Sequence, residues 1–138
     1  MTRVLLVDDD PHIRSMLKIV LERAGHQVEE CADGTKALKS HKQHPADLIL
    51  TDLVMPDKEG LETIREIRRT DRNVKIIAMS GGGRAGNQDY LKSAKLLGAD
   101  AVIAKPFTKD EIVDTIRKVL DNAPPKVEEL RDGEQNPS

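Results

Sequence analysis

Asp8, Asp9, Asp52, Ser80 and Lys105 are the residues whose types and placement could do chemistry together. Each stands at the end of an apolar run: Val4-Leu5-Leu6-Val7 before the first two, Leu48-Ile49-Leu50-Thr51 before Asp52, Val74 to Met79 before Ser80, and Ala101-Val102-Ile103-Ala104 before Lys105. Taken singly they are ordinary: an aspartate after a strand is commonly a turn or cap residue, a serine can open a loop, and a lysine can be a solvated surface charge. Gathered at one place they make a different set. Close carboxylates repel one another and do not all ionise cheaply without a cation. Hard oxygen ligands that leave room for water suit Mg²⁺. A lysine adds a point positive charge and a serine a hydroxyl donor. These are parts for phosphoryl transfer, in which a carboxylate attacks phosphorus and becomes an acyl phosphate.

The elements that must position these residues follow from the apolar pattern. Val4–Val7 and Leu48–Leu50 are unbroken apolar runs, as in strands buried on both faces of a parallel sheet. Asp10 is an N-cap and Pro11 a first helical residue. Ile13, Met16, Leu17, Val20 and Leu21 recur at helical spacing, and Gly25 stops that helix. His26 to Cys31 reads as a more polar strand, hence an edge. Asp33-Gly34 opens a helix carrying Ala37 and Leu38, and Pro45 closes the connection. A third helix starts near Gly60 with Leu61, Ile64 and Ile67 on one side. Val74–Met79 is the fourth strand, 80–86 a glycine-rich loop, and Tyr90, Leu91, Ala94 and Leu97 mark a fourth helix that ends at Gly98. After Ala101–Ala104, Thr108 caps the last helix with Glu111 as its capping-box partner. Five strand–helix units in strict alternation imply an α/β fold of three layers, a five-stranded parallel sheet between two helical layers. In such sheets the functional crevice lies at the carboxyl ends of the strands.

Composition excludes several classes. A chain of 138 residues suits one domain with one core. The formal net charge of −2 offers no electrostatic case for nucleic acid or an anionic membrane as partner. With one Tyr, one Phe and no Trp, a base-stacking platform or a ring-walled flavin site is not expected. A single cysteine, Cys31, rules out an internal disulfide, fits a reducing compartment and reads as a small core residue. The N-terminus is too short before the first aspartates for a signal peptide or membrane span, so a cytoplasmic protein is expected. Residues 122–138 contain Pro124-Pro125 and many charges, and are expected to be a disordered tail or the stub of a linker. His12, His26, His41 and His44 show no ligand spacing and are expected to be surface or structural residues.

Val-Asp-Asp-Asp-Pro at 7–11, Thr-Asp-Leu-Val-Met-Pro at 51–56 with Gly60 beyond, Ala-Met-Ser-Gly at 78–81 and Ala-Lys-Pro-Phe at 104–107 resemble, in order and spacing, the receiver domain of two-component response regulators. The resemblance covers about residues 3 to 121. It implies a CheY-like, flavodoxin-like (βα)5 fold with strand order 2-1-3-4-5, a receiver domain over residues 1–121 and the tail beyond. It implies Asp52 as phosphoacceptor, Asp9 as direct Mg²⁺ ligand beside Asp52, Asp8 as outer-shell partner, and the Val54 backbone carbonyl on the metal. Ser80 and Lys105 would bind phosphoryl oxygens, and the Lys105–Pro106 bond would be cis. The implied donor is a histidine kinase or histidine phosphotransfer protein. The output would be a phosphorylation-dependent surface read by another protein, with no nucleic acid or membrane partner and no enzymatic activity beyond the domain's own aspartyl phosphorylation and dephosphorylation. One departure is visible. The family often places an aromatic switch residue three positions before the lysine, and this chain has Val102 there. The switch would then run through Ser80 and Gly81 without an aromatic partner at 102.

Three other readings are weaker. Gly81 to Gly86 satisfies Gly-x-Gly-x-x-Gly, but after the fourth strand instead of the first, and Asn87-Gln88 stands where a P-loop needs Lys-Ser/Thr. Asp8-Asp9-Asp10 contains the Asp-x-Asp of a haloacid-dehalogenase-type Mg²⁺-dependent phosphatase, but with His12 where that family has Thr or Val. A receiver-like binding module that is never phosphorylated usually lacks the acceptor or the lysine, and both are present.

Overall fold

The computed structural model describes residues 2–53, 60–80 and 87–121, the last of these with side chains from residue 92 onward. Five strands alternate with five helices: β1 (Arg3–Val7), α1 (Pro11–Arg23), β2 (Gln27–Cys31), α2 (Gly34–Gln43), β3 (Leu48–Asp52), α3 (Gly60–Thr70), β4 (Lys75–Ser80), α4 (Asn87–Leu97), β5 (Ala101–Ala104) and α5 (Lys109–Asp121). All pairings are parallel, in the order β2-β1-β3-β4-β5.

Successive strand side chains point to opposite faces, and the two core clusters divide accordingly. Leu5, Val7, Ile49, Ile76 and Ala78 meet Ala37 of α2, Ile64 and Ile67 of α3 and Ala94 of α4. Val4, Leu6, Leu48, Leu50, Ile77 and Met79 meet Leu17 and Leu21 of α1 and Ile112, Ile116 and Val119 of α5. The middles of the central strands are apolar because each of their faces is covered by helices. β2 carries glutamates because it lies at an edge and is only partly buried. Cys31 is buried, as expected, and burial pushes its thiol up to about 11, which leaves it protonated near neutrality.

Local signals set the helix ends. Asp10 accepts from the His12 amide at 2.9 Å and Asp33 from the Lys36 amide at 2.8 Å. Thr108 and Glu111 form the reciprocal capping box, at 3.1 and 2.7 Å. Gly25 and Gly98 take positive φ (98° and 122°) just beyond α1 and α4. Several strand boundaries differ from the sequence reading by a residue, β1 beginning at Arg3 and β4 at Lys75. β2 begins at Gln27, because His26 instead donates its amide to Leu21 at the end of α1. β4 runs one residue further, to Ser80, which pairs in register with Ala104.

The end of the sheet opposite the strand-end acids is closed by Arg68 of α3. Its guanidinium donates to the carbonyls of Gly98 (2.8 and 3.0 Å), Val74 (2.5 Å) and Asp71 (3.3 Å), and to the Asp100 carboxylate at 3.0 Å. Asp100 in turn accepts from the Ile76 amide at 2.8 Å. One side chain thus ties α3 to the start of β4 and to the turn between α4 and β5.

Candidate functional site at the strand ends

Topology brings the expected residues to one end of the sheet. β1 and β3 are neighbours, so Asp8 and Asp9, just past β1, come beside Asp52, the last residue of β3. Asp8, Asp9 and Asp52 each offer a carboxylate oxygen lying within 4.8 Å of the others. Ser80 closes β4, and its carbonyl accepts the Lys105 amide at 2.7 Å, so the hydroxyl residue and the lysine are fixed together. The Lys105–Pro106 bond is cis. Val54 and Gly81, expected as a metal-binding carbonyl and a switch residue, lie outside the described residues.

The three acids differ in environment. Asp8 is fully buried, with one oxygen accepting the Asp10 amide at 2.9 Å and the other the Lys105 ammonium at 2.8 Å. Asp9 is exposed. Asp52 is 5% exposed, and its Oδ1 is a buried acceptor without a hydrogen-bond partner among the described residues, 3.5 Å from Lys105 Nζ. Burial pushes the Asp52 carboxyl up to about 6; Lys105 pulls against this, and Asp8 and Asp9 add to the rise. Burial acts to lower the Lys105 pKa, but its hydrogen bond to Asp8 and the field of both carboxylates outweigh that and hold it above its ordinary value. The sheet therefore ends in a fixed cation, an acid hydrogen-bonded to it, an exposed acid, and a buried acid with one oxygen that has no hydrogen-bond donor among the described residues.

Gly60 explains how Asp52 is held. A Cβ there would lie 2.3 Å from the Asp52 carbonyl oxygen and 2.4 Å from the Leu53 Cα, so only glycine lets α3 start against the end of β3. The Gly60 amide donates to Leu53 at 2.8 Å, and the Leu53 amide to Met79 at 2.9 Å. The sequence reading placed Gly60 in its motif without this reason. It also missed Arg14, which donates to the Asp8 carbonyl at 2.6 Å and to Glu30 at 3.2 Å. Its position six residues after Asp8, on a helix, gives no signal without the fold.

Of the Asp-x-Asp that a phosphatase would use, the second aspartate, Asp10, is the cap of α1 and accepts the His12 amide. His41 is structural: its Nδ1 accepts from the Ala46 amide at 3.0 Å, so Nε2 carries the proton shared with Asp71 at 2.9 Å.

A doubly wound parallel sheet with three acids and a lysine at its strand ends defines an α/β domain equipped to handle a phosphoryl group. The chain belongs to the response regulator receiver domain family, whose model matches residues 4–117. It is 36% identical over 118 residues to the chemotaxis protein CheY of Halobacterium salinarum, covering 86% of this chain and 96% of that one. It is 35% identical over 118 residues to the sporulation initiation phosphotransferase F of Bacillus subtilis, covering 86% and 93%. Among solved structures, the response regulator TrrA of Thermotoga maritima in complex with Mg²⁺-BeF superposes with a TM-score of 0.77 at 33% identity, covering 86% of this chain and 99% of that one. The protein is therefore a receiver domain of two-component signalling, a signalling module and not a classical enzyme. No helix among the described residues is long and apolar enough to cross a membrane.

Proposed function

We propose that Asp52 accepts a phosphoryl group from a phosphohistidine donor in a Mg²⁺-dependent reaction, and that the protein signals as a single receiver domain over residues 1–121. The observation that carries this is the Asp52 Oδ1 atom: buried, without a hydrogen-bond donor among the described residues, 3.5 Å from Lys105 Nζ, on a carboxylate clustered with Asp8 and Asp9. A buried acceptor left without a hydrogen bond is costly, and a cation or a phosphoryl group held among the clustered acids would offset that cost.

The donor set fits Mg²⁺: all oxygen, with Asp9 open to water. Asp9 and Asp52 would hold the ion directly and Asp8 from the outer shell, with the Val54 carbonyl as a further ligand outside the described residues. When bound, the ion supplies charge neutralisation for the phosphoryl oxygens and the crowded carboxylates. Asp52 is the nucleophile. Its oxygen attacks phosphorus, the phosphorus–nitrogen bond of the donor breaks, and the electron pair stays on the imidazole. Lys105 supplies a positive charge that the fold already holds at the site, so little reorganisation is needed as negative charge spreads over the phosphoryl oxygens. Ser80, fixed to Lys105 through the backbone, offers a hydroxyl to the same oxygens. The complex of TrrA with Mg²⁺-BeF is consistent with this assignment.

The expected partners are a histidine kinase or histidine phosphotransfer protein and a downstream protein that reads the altered surface, in the cytoplasm. Incubation with acetyl phosphate and Mg²⁺ should add one phosphoryl group to the wild type and none to Asp52→Asn. Labelling of Asp52→Asn, or equal labelling in excess EDTA, would refute the assignment. Truncation after Asp121 should leave labelling unchanged; a large loss would mean that residues 122–138 belong to the working domain.

A further inference from the structure

We propose that Arg14 is a positioning residue for Asp9, and through it for the Mg²⁺ site. This rests on the metal-binding reading above.

Asp9 is the most exposed of the three clustered acids, and an exposed aspartate is ordinarily free to point anywhere. Its backbone here is not free. The peptide before it carries the Asp8 carbonyl, and Arg14 Nη1 donates to that oxygen at 2.6 Å. The peptide after it carries the Asp10 amide, which donates to Asp8 Oδ1 at 2.9 Å. Peptide units are rigid planes, so fixing the plane on each side of Asp9 fixes its φ and ψ and the direction of its Cα–Cβ bond. The Asp8 amide is also held, by the Cys31 carbonyl at 3.1 Å.

Arg14 is itself anchored. Its Nε donates to Glu30 of β2 at 3.2 Å, and Lys18 approaches the other oxygen of the same carboxylate at 3.8 Å. The Arg14 side chain is only 19% exposed. A guanidinium can serve the Asp8 carbonyl and Glu30 at once, because its donors sit in a fixed fork. An ammonium on a flexible stem lacks that fork. The chain of contacts runs from the edge strand through α1 to the acid loop, and none of it uses Asp9's own carboxylate, which is left available to a cation.

Partners that orient a metal ligand typically change metal affinity by about 10- to 100-fold when removed. Calorimetric titration of Mg²⁺ into wild type, Arg14→Ala and Arg14→Lys tests the role, with the thermal midpoint of each metal-free protein measured beside it. The expected result is about tenfold weaker Mg²⁺ binding in Arg14→Ala, with incomplete rescue by Arg14→Lys even at low salt. Should Arg14→Ala fail to fold, Arg14→Lys alone decides, since it retains the charge and the aliphatic stem. Wild-type Mg²⁺ affinity in a folded Arg14→Ala, or full rescue by lysine, overturns the positioning role; a lower midpoint with unchanged affinity would assign Arg14 to stability only. If the wild type itself does not take up Mg²⁺, the metal-binding reading fails instead, a result distinct from either.

Discussion

The Lys105 ammonium donates to the Asp8 carboxylate at 2.8 Å across 97 residues of chain, and stands farther, at 3.5 Å, from Asp52. The lysine thus hydrogen-bonds the acid that is fully buried and reaches Asp52 Oδ1 only as a longer ion pair, which leaves that oxygen without a hydrogen bond among the described residues. Removing one partner of a buried pair is strongly destabilising, by about 3–5 kcal/mol, because it strands the other charge. Lys105→Met should therefore lower the thermal midpoint in EDTA, and Mg²⁺ should restore more of it than it adds to the wild type, since the ion then compensates carboxylates that have lost the lysine's charge. Melts of both proteins with and without Mg²⁺ check this; an equal Mg²⁺ increment in the two would contradict it.

Asp52 makes stability depend on pH with a definite sign. Its folded-state pKa is pushed from an ordinary 3.8 to about 6. Between those values the folded protein holds a proton that the unfolded chain has released. By linkage, this group's effect on stability grows less favourable as pH rises through that window and is level above it. Asp52→Asn removes the dependence. In EDTA the variant should be more stable than wild type at pH 8, with the gap shrinking as pH falls from about 6 toward 4. Asp9→Asn should give a smaller gain, because Asp9 is exposed and its repulsion is screened. Urea midpoints at several pH values measure both; a gap that widens toward acid would reverse the assigned sign.

What the sequence revealed and what it hid divide along contact distance. The caps at Asp10 and Thr108 were legible because each acts on an amide two or three residues away, whereas Asp33, read only as part of the turn into α2, proves to cap that helix as well. The strands were legible because both faces of the central ones are covered, leaving unbroken apolar runs. Parallel strands then carry their C-terminal residues to one end, so Asp8, Asp9, Asp52, Ser80 and Lys105 could be grouped before any contact was known. The pairings inside that group were not legible. Nothing local tells Lys105 to choose Asp8, Arg14 to reach the Asp8 carbonyl, or Arg68 to bond Gly98 thirty residues on. The end of β4 was misjudged by one residue because Ser80 is polar, and only its register with Ala104 keeps it in the strand.

Gly60 gives a steric prediction. In Gly60→Ala the new Cβ would meet backbone atoms of Asp52 and Leu53 at 2.3 and 2.4 Å, and backbone cannot swing aside as a flexible side chain can. Overpacking of this kind costs about 1–3 kcal/mol and occasionally more; the upper end is expected here, together with weaker Mg²⁺ binding as the end of β3 moves. Gly25→Ala is the control: its φ of 98° is strained for alanine, but a Cβ there meets nothing within 4 Å. It should lose about 1–2 kcal/mol and keep wild-type Mg²⁺ affinity. Urea denaturation and calorimetry on the two variants separate the effects, and equal behaviour would discount the close approach at Gly60.

The path by which a phosphoryl group at Asp52 alters the surface is constrained at three places. Val102, where the family often has an aromatic switch, pairs with Ala78 of β4 and packs against the core cluster beneath α2, α3 and α4. A β-branched side chain there has few rotamers to exchange. The far end of α4 is tied through Gly98 and Asp100 to Arg68. The Lys105 amide is tied to Ser80 at the strand ends. By sequence, residues 81–83 are three consecutive glycines, a residue type that changes φ and ψ at little steric cost. Amide exchange with and without beryllofluoride and Mg²⁺ should therefore show protection changes centred on residues 81–90, with 98–104 unaltered. Releasing the far end with Arg68→Ala should spread the response along α4 toward residue 98. Changes centred on 101–104 in the wild type, with 81–90 silent, would place the coupling in the fifth strand instead.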